Sequence, residues 1–472
     1  MKNFFIKYYG DKRFWKTVLR LALPIAIQNL LVSSFSLVDT LMVGALGDLP
    51  LSAVGMAGQW GWLFNLFLFG ICSGGALFVS QYWGTKDEDS IRRVYGILIA
   101  SVSILSIVFF AIAFIFPDKV MYIFNKDPKV ISEGVGYLRI ASFSYLAVAL
   151  NNALGTMLRS TENVNVPMYS SFFTTIANVI LNYAFIFGKF GLPALGVEGA
   201  AIATVISSWL GPITIMLIAF MQKSLITRPP LKASRAFTVE FIKRITPAAI
   251  NEALWGLGTI CLNIIFSNYG LEEFAAVTIL RTFENVAFVF FVGLCHACCV
   301  VVGKYIGEGK IDEAINDSNR FTTLVITAGA ILGALIAIFR APLVSIFNMG
   351  AEISDHTLNM AMILMLVYAA ELPFKNIPYV QIAGVFRSGG DTMIGVKYDL
   401  ICLWLIAFPM TLLSAYVFKF PFPLIYASMF IGEDIVKSIL CIRYFKKEKW
   451  IRPVTSQGLE SLEKRKRSKQ GL

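Results

Sequence analysis

Several polar side chains lie inside otherwise apolar tracts of this sequence, and their types and spacing suit ion exchange better than the making or breaking of covalent bonds. Asp39 follows Ser36 by about one helical turn, on a segment that also carries Pro24, Gln28 and Asn29. A carboxylate within an apolar tract is costly to bury, so it faces protein or water and becomes a functional candidate. Two readings of Asp39 stand. It can be a hydrogen-bonded partner near a helix end, or a group that takes up and releases H⁺ or Na⁺, because burial favours its neutral form while a polar shell favours its charged one.

Asn178 and Asn182 are four apart, hence on one helix face with Cβ atoms about 5–6 Å from each other. Their amides can coordinate a cation or bond a carboxylate without titrating, and can equally hold two helices together. Glu252 follows Pro247 closely, with Thr259 and Asn263 further along nearly the same side, and no basic residue occupies a helical neighbour position. Asp39, Asn178, Asn182 and Glu252 are therefore the candidates for cation coupling.

A second group can line a solute path. Glu284 has Arg281 one turn before it, and Glu371 and Lys375 are spaced to pair on one helix between Pro373 and Pro378. Such a pair can be structural or functional. Asp39, Glu252, Glu284 and Glu371 together make an acidic interior, whose field in a low-dielectric cavity attracts organic cations. Trp255 and Tyr368 offer aromatic faces to a flat or cationic solute, although packing is the alternative for each. Gln28, Trp255, Asn263, Glu284, Tyr368 and Glu371 are the candidate cavity residues.

Other chemistries find little support. Cys295 and Cys298 flank His296, but the second of the two histidines, His356, is far along the chain and no second thiol pair completes a metal site. No nucleophile with a base stands out, so neither an enzyme, a metal nor a cofactor is expected. The seven cysteines lie in or beside apolar segments, where they pack as small hydrophobes.

The elements that must position these residues are long apolar helices. Of 472 residues 57% are apolar and 15% charged, and the mean hydropathy is +0.68. A soluble domain of this size needs a more charged surface. Tracts such as Ile97 to Phe116 and Phe321 to Phe339 are long enough, at about 1.5 Å per residue, to cross a hydrocarbon core of about 30 Å. Twelve spans are expected, near 17–43, 53–82, 92–116, 132–156, 165–188, 197–221, 242–267, 274–303, 317–339, 358–384, 394–418 and 424–445. The Met1 to Lys16 stretch lacks the short apolar core and cleavage site of a signal peptide, so the first span is expected to be retained.

Lys and Arg concentrate on one side of these spans. That side receives Lys12, Arg13 and Lys16, Lys86, Arg92 and Arg93, Arg159, the cluster from Lys223 to Arg244, Lys304, Lys310 and Arg320, Arg387 and Lys397, and the C-terminal tail. The bias places both termini in the cytoplasm of a multi-pass protein of the cell inner or plasma membrane. The formal charge of +11 follows from these flanking residues, which meet anionic headgroups, so no nucleic-acid partner is expected. The run Lys464, Arg465, Lys466, Arg467 reads as a solvated end that touches lipid.

The chain also repeats itself. One offset places Pro24 on Pro247, Ala53 on Ala276, Gly70 on Gly293, Cys72 on Cys295, Val79 on Val302, Tyr82 on Tyr305 and Gly84 on Gly307. A slightly longer one places Arg159 and Ser160 on Arg387 and Ser388. The offset spans six helices, so the halves are parallel repeats, an arrangement suited to a cavity that opens alternately to either side. The division is an N-terminal lobe over 1–221, a cytoplasmic linker over 222–241 holding Pro229 and Pro230, a C-terminal lobe over 242–445 and a basic cytoplasmic tail over 446–472.

From Leu19 to about Phe445 the chain resembles the multidrug and toxic compound extrusion (MATE) transporters of bacterial type. The resemblance rests on Leu23 to Gly44 with Pro24, Gln28 and Val38-Asp39-Thr40, on Gly70 to Gly84, on Leu158-Arg159-Ser160, on Asn178 to Gly188, and on Phe386 to Thr392. It implies an all-α polytopic membrane protein with twelve transmembrane helices in a V-shaped pair of six-helix lobes. It further implies a secondary active antiporter that exports organic, often cationic or aromatic, compounds in exchange for H⁺ or Na⁺. Asp39 matches the family's helix 1 aspartate and Asn178 its helix 5 asparagine. Many members carry an aspartate four residues later, where this sequence has Asn182, so a proton site of two aspartates does not carry over. Some members place an acid in helix 7, and Glu252 is similar. The expected partners are small organic cations or drugs and membrane lipids, with one chain as the functional unit. The alternative within the wider superfamily is a flippase or exporter of a lipid-linked or endogenous metabolite, which needs a basic cavity.

Overall fold

The computed structural model describes residues 2–349 and 354–469. The described chain is helical almost throughout, and its only β-bridge joins Gly390 and Ile451. In chain order the long helices are Lys12–Gly44 (α1), Asp48–Thr85 (α2), Glu88–Ile115 (α3), Ser144–Ser160 (α4), Asn165–Phe187 (α5), Gly196–Met221 (α6), Arg235–Tyr269 (α7), Leu271–Gly307 (α8), Ile311–Ser345 (α9), Asp355–Gly389 (α10) and Met393–Val417 (α11). A final segment over 422–446 (α12) is built from Phe422–Phe430, Ile431–Ile435 and Val436–Lys446.

Local chemistry sets the ends. Asp87 caps α3 by accepting from the Ser90 N–H at 3.0 Å, and Ser354 caps α10 by accepting from Thr357 N–H at 3.2 Å. Gly188 closes α5 at φ +65°, and a Cβ there would stand 2.7 Å from the Ala194 nitrogen, so only glycine fits.

Among the described residues ten helices are long and apolar enough to cross a membrane, against the twelve spans expected. The two expected spans that fall outside this group are 132–156 and 424–445. The first is broken between Pro128–Ala141 and Ser144–Ser160, and the second is interrupted by charge, with Glu433, Asp434 and Lys437 close together in its middle. Apolar length in the sequence counts straight through such breaks. Many large apolar side chains point outward, including Leu37, Ile104, Ile338 and Leu405, while Asn178, Asn182 and Glu371 are fully enclosed. That inversion of the usual pattern suits a protein surrounded by lipid.

Two compact units emerge, Pro24–Ala249 and Met1–Leu23 together with Ile250–Leu472. Their boundaries fall at Pro24 within α1 and just after Pro247 within α7, at the two prolines that the repeat superimposes. In the N-terminal unit α2 packs on the first half of α7 so closely that a Cβ on Gly70 would lie 2.4 Å from the Ala249 Cα. Its core holds Phe64 against Tyr145 at 5.1 Å and Trp60 against Phe109 at 4.8 Å between ring centres. In the C-terminal unit Phe14 meets Phe321 at 5.3 Å, and Phe266 packs on Phe422 at 5.6 Å.

The basic tail forms a helix, Ser456–Lys469, docked on its own unit; residues 470–472 lie outside the described residues. Thr455 donates to the Gly307 carbonyl at 2.8 Å, and Arg465 turns inward to Glu448 and Asp312, while Lys464, Lys466 and Arg467 remain exposed. Burial alone would raise the Glu448 carboxyl, but hydrogen bonds from Arg465 and Lys469 outweigh it and hold that group below the usual carboxylate range.

Candidate functional site

The N-terminal unit brings Asp39, Asn178 and Asn182 together as a chain of neutral donors on one carboxylate. Asp39 sits late on α1 and is half-buried. Asn182 of α5 donates from Nδ2 to Asp39 Oδ1 at 2.8 Å and to Asn178 Oδ1 at 2.9 Å. Asn178 in turn donates to Ser207 Oγ of α6 at 3.2 Å, and Ser207 donates to the Thr204 carbonyl at 3.1 Å. The spacing that placed both amides on one face of α5 therefore aims them at α1 on one side and α6 on the other. Asn182 Oδ1 has no hydrogen-bond partner in this buried position, leaving an acceptor beside the carboxylate. Among the described residues no cationic side chain reaches Asp39, whose one side-chain hydrogen bond is the amide. Such a site can exchange a small cation, because the carboxylate's charge is solvated by dipoles and not cancelled by a fixed ion.

Gln28, an expected cavity residue, is engaged lower on α1. Arg159, near the end of α4, donates to Gln28 Oε1 at 3.3 Å and to Thr156 Oγ1 at 3.2 Å. No carboxylate reaches this guanidinium among the described residues.

The fourth coupling candidate belongs to the other unit and is differently placed. Glu252 accepts from Arg387 Nη2 at 2.6 Å, and the same nitrogen donates to Asn251 Oδ1 at 2.7 Å. This corrects the premise that singled Glu252 out. Its own helix supplies no base, but the end of α10 does, and neighbours along one helix say nothing about that. Asn251 donates onward to Asp399 of α11, which accepts from Lys437 of α12 at 2.8 Å, and Lys437 also reaches Glu433 at 2.9 Å.

The remaining cavity candidates also lie in the C-terminal unit. Lys375 pairs with Glu371 at 2.8 Å, as their spacing predicts, and also with Glu284 of α8 at 3.0 Å. Tyr426 donates to Glu284 at 3.2 Å, and the Lys375 ammonium lies 5.2 Å from the centre of the Tyr368 ring. Arg281, which the spacing offered to Glu284, bonds Asn263 instead. Trp255 is exposed, with its backbone carbonyl held by Thr259.

Sequence reasoning passed over Ser207, Asp399, Glu433, Asp434 and Lys437, and used Arg387 as a marker of orientation, of the repeat and of the family resemblance but not as a site residue. For the charged ones a signal existed: each interrupts an apolar tract, and Glu433 and Lys437 are spaced to pair. Ser207 had none, since a hydroxyl in a span usually bonds its own backbone. No group of three or more His, Cys, Asp or Glu that could hold a metal occurs among the described residues.

Comparison with known proteins follows the same lines. The MatE family model matches residues 24–184 and 247–413, one stretch in each half. The chain is 24% identical over 455 residues to the probable multidrug resistance protein NorM of Thermotoga maritima, covering 92% of this chain and 93% of that one. It is 26% identical over 412 residues to the probable multidrug resistance protein YoeA of Bacillus subtilis, covering 86% and 88%. Among solved structures, a MATE protein in a bent conformation superimposes with a TM-score of 0.83 at 16% identity, over 92% of this chain and 95% of that one. A MOP superfamily transporter from Pyrococcus furiosus does so at 0.80 and 17%, over 94% and 97%. These establish an all-α polytopic membrane fold.

Proposed function

The chain belongs to the MatE family, and from that premise we propose a secondary active antiporter that exports organic, cationic or aromatic compounds in exchange for H⁺ or Na⁺. The observation that carries this reading is Asp39, a half-buried carboxylate held by the Asn182 amide at 2.8 Å and met by no fixed cation among the described residues. Exchange needs a group that is stable with its charge cancelled by either of two mobile partners and unfavourable with neither. A carboxylate solvated by amides in a low-dielectric interior meets that need. When a proton or Na⁺ occupies Asp39, its attraction for an organic cation falls; when the site is vacated, that attraction returns. Binding of one partner thereby weakens binding of the other, which is the thermodynamic content of antiport.

Asn178 and Asn182 keep the polar shell without adding a second titrating group. Glu252 holds Arg387 and sets the charge of its own unit, and Gln28, Trp255, Asn263, Glu284, Tyr368 and Glu371 are the groups a solute meets. The relatives named multidrug resistance proteins support the substrate class. The arrangement we propose is twelve spans in two six-helix lobes, with the broken segments over 128–160 and 422–446 completing the ten continuous ones. Both termini and the 222–241 linker face the cytoplasm of the cell membrane, as the Lys and Arg bias indicates. One chain is the transport unit.

The test is efflux of a cationic dye from proteoliposomes holding the full chain, with Na⁺ and pH gradients imposed separately. Saturable efflux driven by one or both gradients is expected. Gradient-independent flux, or no flux of any cation, overturns the assignment.

A further inference from the structure

A positively charged side chain already occupies the place in the C-terminal unit where an organic cation is best received. The Lys375 ammonium lies 2.8 Å from Glu371 and 3.0 Å from Glu284, and it faces the Tyr368 ring at 5.2 Å. Tyr426 fixes Glu284 from the far side at 3.2 Å. Two carboxylates and an aromatic face around one ammonium are the groups that recognise an alkylammonium ligand. Here the ligand is tethered. The Glu371 side chain is fully enclosed, whereas those of Glu284 and Lys375 keep 19% and 29% of their surface exposed, so the cage is reachable from one side. Two carboxyl groups, Glu284 and Glu371, face the one base, so the acids outnumber it within the cage.

We propose that Lys375 is a resident counter-cation that sets the charge selectivity of this transporter. It fills the strongest cation position of the Glu284–Glu371–Tyr368 cage and leaves enough negative charge beside it for a monocation, while disfavouring a dication by repulsion. The inference rests on the organic-cation reading of the preceding section. It adds a specificity-determining residue that a count of acids alone would miss, because the spacing of Glu371 and Lys375 by itself reads as a closed structural pair.

The test uses the purified full chain in detergent and two probes, ethidium as a monocation and methyl viologen as a dication, with the ratio of their dissociation constants as the readout. Lys375→Gln should shift that ratio toward the dication by about tenfold, since one fixed positive charge leaves the cage. Lys375→Arg should keep the wild-type ratio, because charge and not shape is the determinant. Glu284→Gln, at a partly exposed position that is less demanding for folding, should shift the ratio by a similar factor toward the monocation. It serves as the deciding variant if Lys375→Gln does not fold. Binding by the wild type with a ratio unmoved by the folded variants overturns this proposal alone, as does an equal shift in the Arg and Gln variants. Failure of the wild type to bind either probe overturns the organic-cation reading as well.

Discussion

Arg159 and Arg387 stand at matching places in the two repeats, each near the end of its helix and each bonded to an amide on the helix that carries the repeated proline. The offset that lays Pro24 on Pro247 also lays Gln28 on Asn251, and these are the amides to which the two guanidinium groups donate, at 3.3 and 2.7 Å. The next residue differs. Glu252 closes an ion pair with Arg387, whereas its counterpart Asn29 turns back to the Ile25 carbonyl and Arg159 has no carboxylate among the described residues. The arginine–amide contact is thus common architecture, and the charge placed around it is particular to each unit.

The same contrast runs through the rest of the two interiors. In the C-terminal unit Glu252, Asp399, Glu433, Glu371 and Glu284 are each tied to Arg387, Lys437 or Lys375. In the N-terminal unit Asp39 has an amide and, among the described residues, no base. Buried ions that are paired resist change, because breaking the pair strands a charge, while a carboxylate held by dipoles can exchange its counter-ion at little structural cost. On the proposed function this contrast becomes a division of labour, with exchange on Asp39 and a fixed field in the other half.

The comparison can be broken most directly at the two acids. Asp39→Asn should lower gradient-driven dye exchange by about a hundredfold, since it removes the group through which the two ligands are coupled, with the protein still monodisperse in detergent. Glu252→Gln should leave exchange dependent on the imposed gradient. Loss of coupling in a stable Glu252→Gln protein, with Asp39→Asn active, would invert the division.

Stability provides the next contrast. Arg387→Met leaves the half-buried Glu252 without its partner and should cost about 2–3 kcal/mol in a denaturation measurement. The double variant Arg387→Met with Glu252→Gln should recover most of that loss. Arg159→Met strands no carboxylate among the described residues and should cost clearly less; an equal cost would mean that the amide contact, not the ion pair, carries the energy.

A third variant moves the N-terminal site toward a two-acid one. Asn182→Asp puts a second carboxyl beside Asp39, and two like charges at that distance cannot both ionise, so the pair should keep one proton to higher pH. The pH profile of transport should shift upward by about one unit or more; an unchanged profile would argue that Asp39 does not titrate during the cycle.

The smallest effect concerns the C-terminal helix, an appendage without a counterpart at the end of the N-terminal unit. Because Glu448 is held below its ordinary range, its contribution is present above the unfolded carboxylate value and is lost as pH falls through the lowered folded one. Protease cleavage within Ser456–Lys469 should therefore quicken at acid pH, and Glu448→Gln should be cleaved faster at neutral pH with little further change on acidification.

Much of this protein is set by one-dimensional pattern. Apolar tracts long enough to cross a bilayer, basic residues concentrated in alternate loops and the recurrence of Pro24 as Pro247 determine a helical membrane protein with two related halves, because each is a property of neighbouring residues or of a repeated order along the chain. The pairing of Asn178 with Asn182 and of Glu371 with Lys375 was legible for the same reason, since both are contacts along one helix. Contacts across helices were not. That Glu252 meets Arg387, that Arg281 meets Asn263 and not Glu284, and that Lys375 is shared between two acids depended on which helix faces which and at what height. Such choices are made by packing over the whole unit, and in a low-dielectric interior they decide whether a carboxylate is a locked partner or an exchangeable site.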